Sequence, residues 1–275
     1  MSLPWMVLFG CGNVQSTQKP DAMSVADAPP QDAVQDAVQD AASGPCDLAA
    51  SFANPAQVAG ASSVGGASLS YDELVIYFSV TRNQTVTTFR TARSTNRSAF
   101  PVGAAAPGVP DLVLGPSANE PETVLYLQNG QNELLRMTRA SSTANWANLT
   151  KIGVTGVDPF IGRTALYFSA NGDIMAAPLT DGTLGHAARI DSLATAMAER
   201  NPVASTDELE IAFNRGTTIA VASRTATTAE FNLGTTVDVG DLAGTHPVGL
   251  SEDRCRLYIT AQVGTSNPLY ILSRP

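Results

Sequence analysis

The sequence predicts an all-β fold: a five-bladed β-propeller in which an N-terminal strand completes the C-terminal blade. Three observations predict it. From Cys46 to the last residue, short runs rich in Val, Ile, Leu, Tyr, Phe and Thr are broken by Gly, Pro, Asn and Asp, which is the pattern of many short strands joined by turns. One such run recurs five times at a spacing in the forties, the period of a four-stranded propeller blade. The last copy stops short of its final strand, and a segment of the right kind stands before the first copy.

Taken in order, the chain opens on the apolar run "LPWMVLFGC", Leu3 to Cys11. Its end, Leu8, Phe9, Gly10 and Cys11, resembles the lipobox of bacterial lipoprotein signal peptides. That resemblance implies a signal segment over 1–11, with Cys11 acylated as the first residue of the mature chain. The other reading of this run is an apolar tail without a signal. Residues 12–45 are dominated by Ala, Asp, Gln, Ser and Pro and contain no aromatic, so they bury too little apolar area to offset the entropy of ordering them. In "QDAVQDAVQDAAS" a helix would stack Asp32, Asp36 and Asp40 as like charges at i,i+4. A disordered tether is expected there.

The repeated units follow. Aligned on an aromatic or apolar pair, they read "VIYFS" at Val75, "VLYLQ" at Val124, "ALYFS" at Ala165, "EIAFN" at Glu210 and "RLYIT" at Arg256, with steps of 49, 41, 45 and 46 residues between the Tyr77-like positions. Each is followed by a second apolar strand, and in four units that strand ends in arginine: Arg93, Arg139, Arg224 and Arg274. Seven residues past the first three arginines stands Phe100, Trp146 or Phe231. Unit three lacks the arginine, and its blade is expected to be the least regular. Unit five ends at Arg274 and Pro275, and "ASFANPAQV", Ala50 to Val58, supplies its aromatic strand with Phe52 in the expected place. Such closure hides sheet edges that an open array would expose. One segment, "SLATAMAER", carries a helical rhythm instead.

The cysteines fit the same closure. Cys46 precedes the donated strand and Cys255 lies in a turn of the same blade, so a bridge is expected on one face of the disc. It would close a loop of about 210 residues, valued at roughly 5 kcal/mol by the chain-entropy model. The alternative is two free thiols. A zinc site is not expected, with no CxxC pair and two histidines, His186 and His246.

With the units laid out, "LSYDELVIYFSVTRNQTVTTFRTARSTNRSAFPVG" (Leu69 to Gly103) and "LSEDRCRLYITAQ" (Leu250 to Gln262) resemble the TolB-type, WD40-like propeller repeats of bacterial envelope proteins. The resemblance covers residues 50–275. It implies a periplasmic or outer-membrane propeller that binds something, often protein, with no catalytic residues to carry over. Tyr71 replaces the usual proline of that repeat, and Glu73 the glycine after Asp72.

Composition narrows the partners. The chain of 275 residues has 16 basic and 25 acidic residues, a formal net charge of −9 and only two lysines, Lys19 and Lys151. Nucleic acid is excluded as an expected partner, because phosphate binding needs a basic footprint. No run is long and apolar enough for a transmembrane helix, so membrane association is expected only through a lipid anchor, and the protein is expected to be a monomer.

No nucleophile motif, P-loop or dinucleotide fingerprint occurs, and no cofactor is expected. One constellation carries chemistry. Asp111, Asp158, Asn201 and His246 stand at the starts of the inner strands and are expected to ring one mouth of the central channel. They would make a small polar pocket for a ligand or cation, or simply cap the strand entries and solvate the channel. A five-bladed glycosidase is the enzymatic alternative, with Asp111 and Asp158 as acid and base and Glu199 nearby. The recurring arginines are expected to be solvated or paired with loop carboxylates, and the recurring aromatics to pack between blades. The function expected from the sequence is a non-catalytic binding or scaffold module of the envelope, with an envelope protein or a glycan as partner.

Overall fold

The computed structural model describes residues 46–60 and 65–275. The signal segment expected at 1–11, Cys11 and the tether expected at 12–45 lie outside the described residues. The described residues form five small antiparallel sheets and no helix. Their inner strands contact one another in a closed ring.

Blade 1 comprises Gly65–Leu69, Val75–Arg82, Thr85–Ala92 and Ala104–Ala105. Blade 2 comprises Val113–Ala118, Val124–Asn129, Glu133–Thr138 and Ala147–Thr155. Blade 3 comprises Val157–Ile161, Ala165–Ala170 and Asp173–Thr180, followed by two two-residue strands, Thr183–Leu184 and Ala188–Arg189, that both pair with the third. It is the irregular blade, as its repeat pattern predicted. Blade 4 comprises Glu199–Ala204, Glu210–Arg215, Thr218–Ser223 and Thr235–Thr236. The segment read as helical, "SLATAMAER", runs through turns into this blade's inner strand. The Glu199 N–H donates to the Gly172 carbonyl (2.7 Å) and Leu193 is fully buried, so tertiary pairing overrides the local rhythm.

Blade 5 comprises Ala243–Leu250, Arg256–Gln262 and Leu269–Ser273, and its outer strand is the N-terminal Ala53–Gln57, antiparallel to Leu269–Ser273. The ring is therefore closed by strand exchange. A disulfide joins Cys46 to Cys255, with Cα atoms 5.7 Å apart and a sequence separation of 209. It binds the donated strand to the blade it completes.

The second strands are the most deeply buried, because both faces are covered by neighbouring blades. Tyr77, Tyr126, Tyr167 and Tyr258 are each at most 2% exposed. Their hydroxyls need partners in so dry a place, and a repeated network supplies them. The Tyr77 hydroxyl donates to Glu122 (2.6 Å), which also receives Arg90 (2.8 and 2.8 Å) and Arg139 (2.8 Å). Arg139 donates to the Glu122 carbonyl (2.6 Å) and lies over Trp146 at 4.2 Å. Between blades 5 and 1, Tyr258 and Arg256 donate to the Glu73 carboxylate, while Arg93 donates to the Glu73 carbonyl (2.7 Å) and the Tyr258 hydroxyl (3.1 Å) and lies over Phe100 at 4.4 Å. Between blades 3 and 4, Tyr167 and Arg224 meet Glu208, with Arg224 over Phe231 at 4.4 Å.

Between blades 4 and 5 the parts are exchanged. Ala212 takes the tyrosine position and Arg254 the glutamate position, and Arg274, over Phe52 at 4.1 Å, pairs with Glu210 instead (2.8 and 3.1 Å). The recurring aromatics thus pack between blades. The recurring arginines pair and stack there; solvation is ruled out for Arg93, Arg139 and Arg274, each at most 8% exposed. A cation on an aromatic face with its charge matched is tolerated in a site that would reject a bare guanidinium.

Candidate functional site at the channel mouth

Each inner strand begins on the face that carries the blade-to-blade connections and the turns between second and third strands. Hydrogen bonds tie those two sets of loops together: Leu112 N–H to the Val86 carbonyl (2.8 Å), Glu199 N–H to Gly172 (2.7 Å) and Gly216 N–H to Ala198 (2.8 Å). Near this end four inner strands carry a residue followed by proline: Gly115–Pro116, Asp158–Pro159, Asn201–Pro202 and His246–Pro247. An inner strand has no neighbour on its axial side, so the missing proline N–H breaks no ladder bond.

The ladder is irregular at this level in all five blades. Gly66, Gly115, Asp158 and Asn201 have φ of 48°, 58°, 53° and 52°, a left-handed conformation that Gly, Asn and Asp accept most readily. Bulges of this kind re-aim a side chain. The result is a cavity of about 160 Å³ whose polar lining includes Ser68, Asp158, Asn201, His246 and Thr260.

Side chains of each preceding blade hold this level in place. The Asp158 N–H donates to Gln128 Oε1 (2.5 Å), and the Asn201 N–H to Ser169 Oγ (3.2 Å). Asn214 donates through Nδ2 to the Thr245 carbonyl (2.7 Å), which leaves its Oδ1 as the acceptor facing His246 Nδ1 at 3.0 Å. That geometry assigns the proton of the neutral ring to Nδ1 and leaves Nε2 as its free acceptor. Burial raises the Asp158 carboxyl above the usual aspartate range, against the opposing pull of the Asn201 N–H and Arg200. Burial also lowers the His246 imidazole. Both shifts run in the direction that burial of an ionisable group produces.

The structure brings Asp158, Asn201 and His246 together and leaves Asp111 out. Asp111 is exposed and accepts a hydrogen bond from Thr87 Oγ1 (2.8 Å), while Gly115 takes the corresponding place in blade 2. The aligning signal is the residue-proline pair, and in blade 2 that pair is Gly115–Pro116 rather than the nearby Pro110–Asp111. The expected Asp111–Asp158 acid and base pair is therefore not assembled. Glu199 does not replace Asp111: it is fully buried, accepts from Thr195 Oγ1 (2.5 Å) and lies 3.7 Å from Arg215 Nε. Asp158 is the one carboxylate lining the cavity among the described residues. No group of three or more His, Cys, Asp or Glu side chains suited to a metal ion comes together among them.

Two features escape sequence reasoning. Ser68 and Thr260 line the cavity although no motif marks them. Tyr71, in the turn after the inner strand of blade 1, meets Phe160 of blade 3 edge-to-face at 6.1 Å. Blades 1 and 3 are not neighbours, so this contact crosses the axis. The tyrosine that stands in place of the repeat's proline thereby packs against the far side of the channel.

No protein-family model matches the sequence, and no curated protein matches it significantly. Solved structures match its fold. The catalytic domain of Coprinopsis cinerea GH62 α-L-arabinofuranosidase aligns over 82% of this chain and 97% of its own, at 11% identity and a TM-score of 0.55. Myxococcus xanthus glutaminyl cyclase aligns over 82% and 97%, at 10% identity and 0.51. TolB from Acinetobacter baumannii aligns over 75% of this chain at 15% identity and 0.46, and this chain spans about half, 53%, of that protein. At such identities the likeness is one of fold, shared by proteins of different activities.

Proposed function

We propose that this propeller is an exported, non-catalytic binding module of the bacterial envelope, engaging a partner protein through the face that carries the channel mouth. The observation that carries the reading is the make-up of that face. A small cavity with a single carboxylate is flanked by loops bearing the exposed apolar side chains Leu112, Met197 and Val263. Exposed apolar groups around a polar centre suit a protein partner, and one carboxylate does not make an acid and base pair.

The Cys46–Cys255 disulfide supports export, since such bonds persist in oxidising compartments. Cys255 lies in the turn between inner and second strands, on the face opposite the channel mouth. The reading includes a lipid anchor on Cys11 and a tether over 12–45. The periplasm or the outer membrane is the location this reading assigns, with a monomeric propeller.

A second reading is favoured by one observation. The polar set of Asp158, Asn201 and His246 in one small cavity suits the hydroxyl groups of a glycan or another small ligand.

The test is photo-crosslinking of the full chain in the source organism's envelope, comparing wild type, Leu112→Lys with Met197→Lys, and Asp158→Ala with His246→Ala. Loss of one specific protein crosslink in the first pair alone establishes protein docking. Wild-type binding to a glycan array that disappears in the second pair establishes the glycan reading. Turnover of a glycan by the wild type, lost in Asp158→Ala, overturns the non-catalytic assignment.

A further inference from the structure

The five interfaces between blades are not equivalent, and the odd one is incomplete. At the 1/2 and 5/1 interfaces a tyrosine of the second strand and an arginine of the same blade both donate to a glutamate of the next blade: Tyr77 and Arg90 to Glu122, Tyr258 and Arg256 to Glu73. The 2/3 interface has the same donors. Tyr126 faces Arg136 across the strand pair as Tyr77 faces Arg90.

Its acceptor is missing. Counting back two residues from the start of the second strand gives Glu73, Glu122 and Glu208 in blades 1, 2 and 4, and in blade 3 it gives Arg163. The turn there is also shorter, closed by the Gly162 N–H on the Ala165 carbonyl (2.8 Å), where blade 1 closes by Ser70 on Val75 (2.8 Å). Leu179 stands where the stacked arginine would: its N–H meets the Thr164 carbonyl (2.7 Å) as the Arg93 N–H meets Leu74 (2.9 Å).

What remains is a cavity of about 350 Å³, opening on the face opposite the channel mouth. Its donors are Arg136 and Arg163; the Arg136 side chain hydrogen-bonds the Tyr126 hydroxyl, and its Nε is buried without a hydrogen-bond partner. Its walls include Val124, Ile161 and Leu179. Glu120 and Asp181 also line it. Among the described residues neither forms an ion pair within 4.0 Å of Arg136 or Arg163; Arg163 attracts the Glu120 carboxylate from a longer distance, and the Tyr71 N–H engages it.

We propose that the cavity between blades 2 and 3 is a binding site for a peptide carboxylate, an acidic side chain or a free C-terminus, which takes the place that Glu122 and Glu73 occupy at the equivalent interfaces. The protein displays the bound form of this site twice in its own structure. A guanidinium offering two parallel N–H groups beside a phenol recognises a carboxylate bidentately. The apolar walls accept the methylene or methyl groups that carry it in a peptide, and they offer few partners to sugar hydroxyls. The site is separate from the channel mouth and does not depend on the function proposed for it.

The test is NMR of the ¹⁵N-labelled full chain, following the Arg136 Nε–H signal and the amides of 161–164 during titration with acetate. Wild type, Arg136→Leu and Arg163→Glu are compared, with thermal melts confirming folding. Saturable shifts in the wild type are expected, weakened at least about tenfold in Arg136→Leu, as for loss of a charge-assisted hydrogen bond. Arg163→Glu supplies an internal carboxylate at the repeat's own position and is expected to remove the response. An equal response in wild type and Arg136→Leu, or none in the wild type, overturns the proposal. N-acetyl-Ala-Ala as the free acid is expected to bind more tightly than its amide or than glucuronate. A preference for glucuronate overturns the assignment to peptide.

Discussion

Replacing Glu122 by Gln tests whether the repeated network holds the ring together. Glu122 accepts one hydrogen bond from Tyr77, two from Arg90 and one from Arg139, all between 2.6 and 2.8 Å. Glutamine keeps one acceptor and turns a donor toward the guanidinium groups. Arg139, whose side chain is 3% exposed, then has no counter-charge, whereas Arg90, at 30%, regains water. Removing one partner of a buried pair costs about 3 to 5 kcal/mol, and partial rehydration of Arg90 places this case near the lower end, about 3 kcal/mol. For a domain of this size each kcal/mol lowers Tm by about 2 to 4 °C, so a fall of roughly 6 to 12 °C is expected.

Acid dependence supplies an independent readout. Burial by itself would raise the Glu122 carboxyl, but hydrogen bonds from Arg90 and Tyr77 and the charges of Arg90 and Arg139 outweigh it and hold the group below its usual value. A carboxyl depressed in the folded state contributes stability that is complete above its unfolded pKa, about 4.3, and is lost as pH falls through the folded value. The Tm gap between wild type and Glu122→Gln is therefore widest near neutrality and narrows in acid. Calorimetry at pH 7 and at about pH 3.5 measures both. A gap below about 2 °C at neutrality, or one that does not narrow in acid, refutes the reasoning.

Three further outcomes are expected. Reduction, or Cys46→Ser, lowers stability by up to about 5 kcal/mol, because the bridge closes a 209-residue separation; denaturant melts with and without reductant measure it, and identical midpoints would discount the staple. Gly108→Ala yields insoluble protein, since a Cβ there would lie 2.1 Å from the Trp146 carbonyl oxygen at φ +84°, whereas Gly130→Ala, with open space around it, stays soluble with an unchanged melt. Expression and melting of the two variants side by side decide this. His246 titrates by NMR below its ordinary 6.5. The unfolded chain then binds that proton more tightly, so its contribution to stability is complete above about pH 6.5 and declines as pH falls. A value at or above 6.5 would mean that the ring is not held in a dry wall.

Parts of this architecture are legible one residue at a time. Arg93, Arg139 and Arg224 each stand seven residues before an aromatic, and that offset survives in space because both residues belong to one blade. Their partners are not legible in this way. Glu73, Glu122 and Glu208 sit in turns, and each serves a tyrosine of the preceding blade, 41 to 45 residues away or, for Tyr258, at the far end of the chain. Asp111 stands near the start of an inner strand, but Gly115, four residues on, holds the channel-lining place in that blade.

The sequence by itself determined the repeat, the number of blades and the exchange of the N-terminal strand. These follow from alternation, turn chemistry and period, which are written within a single unit. Only the tertiary structure decided that Asp158, Asn201 and His246 meet without Asp111, that Tyr71 reaches across the axis to Phe160, and that the 2/3 interface lacks its carboxylate. Each of those depends on side chains from different blades, whose separation is set by closure of the ring and not by any spacing along the chain.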